Sequence, residues 1–561
     1  MILEDAVRRY SLQNAIKFDG KAQPKAVLGK IMAEYPELNA REALILIQKI
    51  IEDVNTLSLD DQRKELEEKA PELLEKKVGE KKSLPDLLHA RMGSVITRFP
   101  PEPNGYLHIG HAKAAFVDYE YAKKYKGRFI LRFDDTNPLN ESIEFYETQK
   151  EDLKWLGIEW DQEYRTSDHL AQHYELAEKL IKNNHAYICT CPEKKIRETR
   201  KKGVNCPCRK KSTFSDWKEF FTMGEGDAIV RLKADMSSVN TAMRDPILFR
   251  IIDYPHPIHG TKYRAWPTYD FYGAVEDSIS GVTHPFRTKE YELRDEVYFF
   301  LLDCLGLRKP HLMEFARLSI VGMPVSKRKI KPLIDQKLVM GWDDPRLPTL
   351  KGLQRRGILS EAIREFVLSQ GISKAESSVT FDQVEAHNRK ILDPVAQRFF
   401  FVPNPVQLEV SKAPKKTVSI KNHPSSDLGM RKIRTSSTFF IPQTDADNLK
   451  TGDIFRLKDL FNVALTEKKD ILYGEFTGGN VMPNTKKIQW VTNNHVYLSI
   501  LKPSSLFIND VFQPHSLEKI RGYAERAISD IPNQAIVQCE RFGFIKIEKT
   551  SAGMQGIFIH K

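Results

Sequence analysis

Two stretches carry residue types and spacings that can do chemistry. In "RFPPEPNGYLHIGHAK", Arg98 to Lys113, two histidines stand three apart with a glycine between them. His108 and His111 can therefore face one side of a first helical turn, while Gly110 lets a flat ring or a phosphate approach the backbone. A helix that starts at the end of a strand offers unpaired N–H groups and partial positive charge, a ready site for an anion. An HxxH pair alone also occurs as a structural pair or in zinc helices; the strand and proline-rich turn ahead of it favour phosphate. The second stretch, "YICTCPEKKIRETRKKGVNCPCR", holds Cys189, Cys191, Cys206 and Cys208 in the form CxC-x14-CxC. Two close pairs of thiolates satisfy a closed tetrahedral zinc site, which is structural rather than catalytic. Cys304 and Cys539 read as core residues.

These residues need a scaffold. "SVITRF", a Pro/Gly turn, the helix "AKAAFVDYEYAKKY" and the strand "RFILRF", ended by Asp134 and Asp135, form a βαβ unit. That unit implies a parallel sheet with ligands at the carboxyl ends of its strands. Residues 168–265 read as an insertion, after which the sheet is expected to resume near "AWPTYDF" and "GVTHPFR". Helices are expected from "GWDDPRLPTLKGLQRRG" to about residue 392. Beyond Ile391 a period of two takes over (Val406, Leu408, Val410; Val496, Leu498, Ile500), which predicts one or two all-β barrels. Residues 1–92 lack β-rich segments and show helical spacing, as at Ala43, Ile45, Leu46, Ile50 and Val54. The fold class is multidomain α/β, divided at 1–92, 93–325, 326–392 and 393–561.

Composition sets the frame. A chain of 561 residues exceeds what one core holds. With 41% hydrophobic and 29% charged residues and no apolar run near the roughly 18 residues of a membrane span, no membrane role is expected. "MILEDAVRRYSLQ" has no secretory character, so a cytoplasmic protein is expected. A net charge of +11 and a pI near 9.0 suit a polyanionic partner. Arg346, Arg355 and Arg356 in "GWDDPRLPTLKGLQRRG" are candidates to face it, with plain surface charge as the alternative.

The residues His108-Ile109-Gly110-His111 resemble the nucleotide motif of the class I aminoacyl-tRNA synthetases. "PVSKR" at 324–328 is similar to their second motif, departing at Pro324 and Val325; the "VSKRK" form is that of the glutamyl and glutaminyl branch. "LRFDDTNP", "RDPILFRI", "WPTYDF" and "GWDDPRLPTL" match that branch too, so the resemblance runs from about residue 94 to the C-terminus. It implies ATP-dependent activation of an amino acid and its transfer to tRNA, with Mg²⁺ on the phosphates. His108, His111 and Lys327 would act on those phosphates, and Glu102, Pro103, Asn104, Gly110, Arg317, Leu318, Val325 and Ser326 would bind ATP. A carboxylate is already a nucleophile at pH 7, so placement and cancellation of phosphate charge are what help.

The resemblance also implies that Arg98 reaches a substrate carboxylate, that Asp134 pairs with the α-ammonium and that Tyr269 lines the pocket. Asp134 as a turn cap and Tyr269 as core stay open. Arg287 in "GVTHPFRTKEY" discriminates: a γ-carboxylate demands a cation, whereas a neutral amide would leave the arginine unpaired at several kcal/mol. Glutamate is therefore favoured, with L-glutamate and tRNA(Glu) as partners, tRNA(Gln) left open and a monomer expected. The rivals are a glutaminyl enzyme and a non-enzymatic tRNA-binding relative. Barrels at the C-terminus and a cysteine cluster in the insertion are similar to the archaeal and eukaryotic kind; the resemblance implies that the zinc-bearing insertion binds the acceptor stem, that 326–392 is a helical stem-contact domain and that the barrels read the anticodon.

Overall fold

The computed structural model describes every residue except 1, 19, 36, 71, 72, 74–83, 324–326, 376 and 552. It has two compact units, Met1–Ser83 and Leu84–Lys561. The first holds α1 (Ile2–Lys17), α2 (Pro24–Glu34), α3 (Ala40–Val54) and α4 (Leu59–Lys69). Pro24 opens α2, where its missing N–H costs nothing, and Ser58 caps α4 by accepting from Asp61 N. The buried face of α3 runs through Ala43, Ile47, Ile51 and Val54, whereas Ile45 is 70% exposed. The sequence reading that put Ile45 on the core face was off by part of a turn. The unit also ends before 92, because Leu84, Leu87 and Ala90 pack with Val95, Tyr121 and Phe286.

The second unit opens as expected. Strands β1 (Ile96–Phe99), β2 (Arg128–Phe133) and β3 (Gln162–Arg165) form a parallel sheet, crossed by α5 (Ile109–Lys124) and α6 (Ile143–Trp155). At the α5–β2 turn a Cβ on Gly127 would lie 1.9 Å from Val95 O, so no other residue fits there. Next come α7 (Leu170–Lys182), β4 (Ala186–Cys189), α8 (Glu193–Lys202), α9 (Cys208–Lys211), α10 (Phe214–Phe220), β5 (Ile229–Leu232), β6 (Ile247–Ile251) and β7 (Ala265–Pro267). Strands β4 to β7 make an antiparallel sheet in chain order. "AWP" is thus the last strand of the insertion, not the return of the parallel sheet.

The parallel sheet returns only after α11 (Tyr269–Ile279). There β8 (Phe286–Thr288) pairs in parallel with β9 (Met313–Phe315), which follows α12 (Asp295–Leu305). Thr283 N donates to Ile96 O at 2.9 Å and Ile96 N to Thr283 Oγ1 at 2.8 Å, so the two ladders abut at β1. β10 (Leu318–Ile320), α13 (Lys327–Asp335), α14 (Leu350–Arg356), α15 (Ser360–Gln370), β11 (Ser377–Val379) and α16 (Phe381–Leu392) follow, with β10 parallel to β11.

The C-terminal part has two seven-stranded sheets. The edge strands of one are Arg398–Phe399 and Phe401–Pro403, and those of the other are Lys486–Ile488 and Val491–Thr492. Both edges of each sheet thus lie in one short run of chain, so a single bent strand closes each sheet around its own core. The chain leaves the first barrel after Pro403, builds the second between Pro405 and Thr492, and re-enters the first at His495. One apolar core joins Leu107 and Ile109 to Leu350 and Leu353 and on to Phe544 and Ile559 of the barrel. A shared core therefore spans the changes of architecture near 325 and 392, beside the barrels' own cores. Among the described residues no helix is long and apolar enough to cross a membrane.

Candidate active site

His108 is the N-cap of α5. Its Nδ1 accepts from Gly110 N at 3.1 Å and from His111 N at 3.3 Å, while His111 Nδ1 accepts from His108 N at 3.3 Å. The rings stack with centroids 3.8 Å apart. A Cβ on Gly110 would lie 2.9 Å from His108 Cε1, so the flat ring that glycine admits is that of His108. The other first-turn donors are also used: Ile109 N reaches Pro348 O, and Ala112 N reaches His108 O, both at 3.0 Å. The expected row of unpaired helix N–H groups is therefore absent.

Protonation follows from this. Burial, and after it the charge of Arg317, holds His111 down to about 4; burial, His111 and Arg317 hold His108 well below its ordinary value. Both rings are neutral at pH 7. With Nδ1 accepting, each proton sits on Nε2, so the pair offers two N–H donors rather than positive charge. The reading of these histidines as charge-cancelling groups is corrected to one of neutral donors.

They line a cavity of about 390 Å³ together with Pro101, Glu102, Asn104, Arg317 and Trp342. Gln149 on α6 holds the turn between Glu102 and Gly105 by donating to both carbonyls, at 2.9 and 2.8 Å. Pro103 O accepts from Ser142 N and Pro101 O from Asp134 N. Asn104 Nδ2 donates to Glu102 Oε2. Arg317 reaches Glu290 at 3.3 Å, and the side chain of Leu318 is in the apolar core. Val325 and Ser326 lie outside the described residues, and of Lys327 only the backbone, which opens α13, is described.

Beside the cavity is a buried polar network. Arg98 grips Asp277 with Nε at 2.9 Å and Nη2 at 3.1 Å and donates from Nη1 to Phe286 O. Arg132 grips Asp134 with Nε at 2.7 Å and reaches Asp277 with Nη1 at 2.8 Å. Thr166 Oγ1 donates to Asp134 and Tyr298 OH to Asp277. Arg98 and Asp134 are thus already paired, each with a partner absent from the sequence reading.

Arg287 is different. It is 6% exposed, ion-paired through Nη2 with Asp295, and 4.0 Å from Glu314 Oε1, while Nε and Nη1 have no hydrogen bond among the described residues. Its guanidinium lies over the Tyr298 ring, 5.3 Å from the centroid. Burial pushes the Tyr269 phenol up while Arg287 and Arg98 pull it down, which sets Tyr269 against both cations.

In the insertion, the Sγ atoms of Cys189, Cys191, Cys206 and Cys208 all lie within 4.8 Å of one another. Cys191 Sγ is 3.3 Å from Cys206 Sγ and 3.7 Å from Cys208 Sγ. Burial pushes the Cys189 thiol up to about 11, so a cation is what would make it a thiolate, whereas Cys208 is held below its ordinary value against burial by hydrogen bonds from Thr190 and its neighbouring cysteines. An S4 donor set this tight fits zinc. Cys539 is buried and Cys304 partly so, both as free thiols.

The family model of the catalytic domain of class I tRNA synthetases (E and Q) matches residues 94–394. Two models of the anticodon-binding domain of those synthetases match 396–481 and 487–548. The chain belongs to the class I (E and Q) tRNA synthetases. Among its relatives, a glutamate–tRNA ligase of Nitrosopumilus maritimus is 44% identical, with 100% of this chain and 99% of the relative covered. One of Pyrococcus furiosus is 41% identical over 100% of both. A solved glutamate tRNA ligase from Elizabethkingia meningosepticum aligns at 20% identity and TM-score 0.40, covering 53% of this chain and 70% of that one.

In this synthetase the three arginines read as tRNA-facing turn inward. Arg346 is buried on Asp344, Ser516 and Leu338 O. Arg356 is buried on Glu385 and Ile559 O, and Arg355 pairs with Glu548 and Asp343. Sequence reading missed Gln149, Arg132 and Asp277, all supplied by other elements. "LRFDDTNP" contained the one available signal, since Arg132 and Asp134, two apart on a strand, point to the same side. A barrel hairpin was also missed. Phe507 N donates to Gly322 O and Asp510 pairs with Lys329 at 2.8 Å, on either side of the 324–327 motif.

Proposed function

We propose that this synthetase is a glutamate–tRNA ligase. It would activate L-glutamate with ATP and transfer it to the 3′ end of tRNA(Glu). The observation that carries the amino-acid choice is Arg287, a buried guanidinium beside Tyr269 whose Nε and Nη1 lack an acceptor among the described residues. A γ-carboxylate could accept from two of its N–H groups at once; a γ-amide would offer a single neutral acceptor. The names of the relatives support the same choice. Intact His108, Gly110, His111 and Lys327 speak against a non-enzymatic tRNA-binding descendant.

In the proposed reaction an α-carboxylate oxygen attacks the α-phosphorus of ATP, the bond to the β-phosphate bridging oxygen breaks, and pyrophosphate leaves. A terminal ribose hydroxyl of tRNA then attacks the adenylate carbonyl and AMP leaves. The Nε2–H groups of His108 and His111 donate to phosphate oxygens that gain charge, and Lys327 adds the cation that the neutral histidines do not. Mg²⁺, when bound, would screen the phosphates. Glu102 and Asn104, on the Gln149-held turn, face the nucleotide. The Asp277 network fixes Arg98 and, through Arg132, Asp134 as the frame of the amino-acid pocket. The four cysteines would hold a structural zinc ion, about one equivalent per chain by metal analysis.

Purified protein given ATP, radiolabelled amino acids and either tRNA(Glu) or tRNA(Gln) should charge glutamate, and the two acceptors report the tRNA range. Preferential charging of glutamine would overturn the reading. Pyrophosphate exchange without tRNA should be weak, since activation in this branch is expected to wait for tRNA.

A further inference from the structure

Arg287 and Glu314 are Cα partners in the β8–β9 ladder, so both side chains stand on the same side of the sheet. A buried guanidinium beside a buried carboxylate ordinarily closes into a two-pronged pair with each N···O distance about 2.8 Å. Here the pair stays open. Arg287 Nε stops 4.0 Å from Glu314 Oε1, and both atoms are buried without a hydrogen bond among the described residues.

Each side chain is held back by another partner. Arg287 leans on Asp295 through Nη2 and over the Tyr298 ring. The Glu314 side chain, 3% exposed, pairs through Oε2 with Lys374 Nζ at 2.6 Å, and Lys374 also reaches Glu292 at 3.1 Å. The two carboxylates, Glu314 first, hold the Lys374 ammonium above its ordinary value. The loop that carries Lys374, between α15 and β11, is fixed to the same part of the sheet. Ser373 O accepts from Ala316 N at 2.7 Å, and Ile372 packs against the cluster that contains Phe286 and Phe315, the neighbours of Arg287 and Glu314. The lysine is therefore placed by the fold, although its own side chain is more than half exposed. Around the pocket Arg287 and Lys374 balance Asp295 and Glu314. A Glu314 that had lost Lys374 would turn to Arg287 and take Nε, and a substrate carboxylate would then meet an excess of negative charge.

We infer that Lys374 is a positioning residue for amino-acid selection: by tying up Glu314 it keeps Arg287 open to a substrate γ-carboxylate. The inference rests on the glutamate reading proposed above and adds to it the residue that acts through Glu314 and Arg287. Lys374 lies outside the parallel sheet, in the helical region that follows it, and bears on the pocket only through that pair.

The test is charging of tRNA(Glu) by the full chain over a range of glutamate concentrations. K374M should raise KM for glutamate about tenfold and leave kcat within about twofold, the pattern of lost binding rather than lost chemistry. E314Q/K374M, in which position 314 carries no charge to neutralise Arg287, should return KM to within about threefold of the wild type. A lysine that only packs predicts no such rescue. Unchanged KM in K374M, or a double variant no better than K374M, would overturn the inference. If the double variant fails to fold, K374R decides: it still pairs with Glu314 and should keep the wild-type KM, whereas a KM as high as that of K374M would count against the pair. The wild type run alongside separates the two levels of the argument. Preferential charging of glutamine by the wild type would sink the amino-acid reading and this inference with it; charging of glutamate by the wild type, with K374M unchanged, would sink this inference alone.

Discussion

α14 and α8 look alike in sequence and behave as opposites in the fold. "LKGLQRR" and "EKKIRETRKK" are both basic runs, yet Arg355 and Arg356 on α14 are spent on Glu548, Glu385 and Ile559 O, while α8 keeps its cations open. Of the deciding partners of α14, Glu385 is 29 residues away, while Glu548 and Ile559 come from 193 and 203 residues away. The same contrast recurs among the buried arginines: Arg98 has its hydrogen bonds met by Asp277 and Phe286 O, whereas Arg287, paired with Asp295 through Nη2, keeps Nε and Nη1 without an acceptor among the described residues. A cation whose donors are satisfied internally is scaffold. One whose donors are unmet is a place for a ligand.

The contrast can be broken by mutation. The largest effect is expected from Arg356→Ala. It leaves the half-buried Glu385 without its cation and opens a hole beside Phe381, so stability should fall by about 3 kcal/mol in denaturant unfolding, with the salt dependence of tRNA binding unchanged. A loss of salt slope would make Arg356 a tRNA contact after all.

A second test bears on neutrality at the histidines. His111 is held down to about 4 in the fold but protonates near 6.5 when unfolded. Its folded pKa is depressed, so the unfolded state binds more protons between those values. Stability falls as pH drops from about 6.5 toward 4, and this group contributes no pH dependence above 6.5. Between pH 7 and 5, His111→Gln should lose about 2 kcal/mol less stability than the wild type. Equal losses would mean that His111 is already charged.

A smaller effect completes the comparison. Arg355→Gln, on a half-exposed pair, should cost at most about 1 kcal/mol of stability and leave tRNA affinity alone. A marked loss of tRNA affinity in that variant would contradict its place among the scaffold cations.

Local patterns made the βαβ start, the helical first unit, the period-two barrels and the four-cysteine cluster legible. Each rests on spacing within a few dozen residues. What escaped was long-range. "AWP" has strand character but pairs with β6 rather than with the parallel sheet, and nothing within it says which. His108 and His111 could be placed on one helical turn, but the use of Nδ1 as a backbone cap, which makes both rings neutral donors, depends on the strand-end geometry and on burial. Arg98 and Asp134 were found by resemblance, whereas Arg132 and Asp277, which hold them, come from a neighbouring strand and from α11.

The central claim is that Arg287 makes this a glutamate enzyme. Initial rates of tRNA(Glu) charging with glutamate and with glutamine, compared between the wild type and Arg287→Gln, test it most directly. The wild type should use glutamate, and the variant should lose at least 100-fold in kcat/KM for glutamate, about 2.7 kcal/mol of transition-state stabilisation, with its melting temperature retained. Unchanged glutamate kinetics in a folded variant would contradict the assignment.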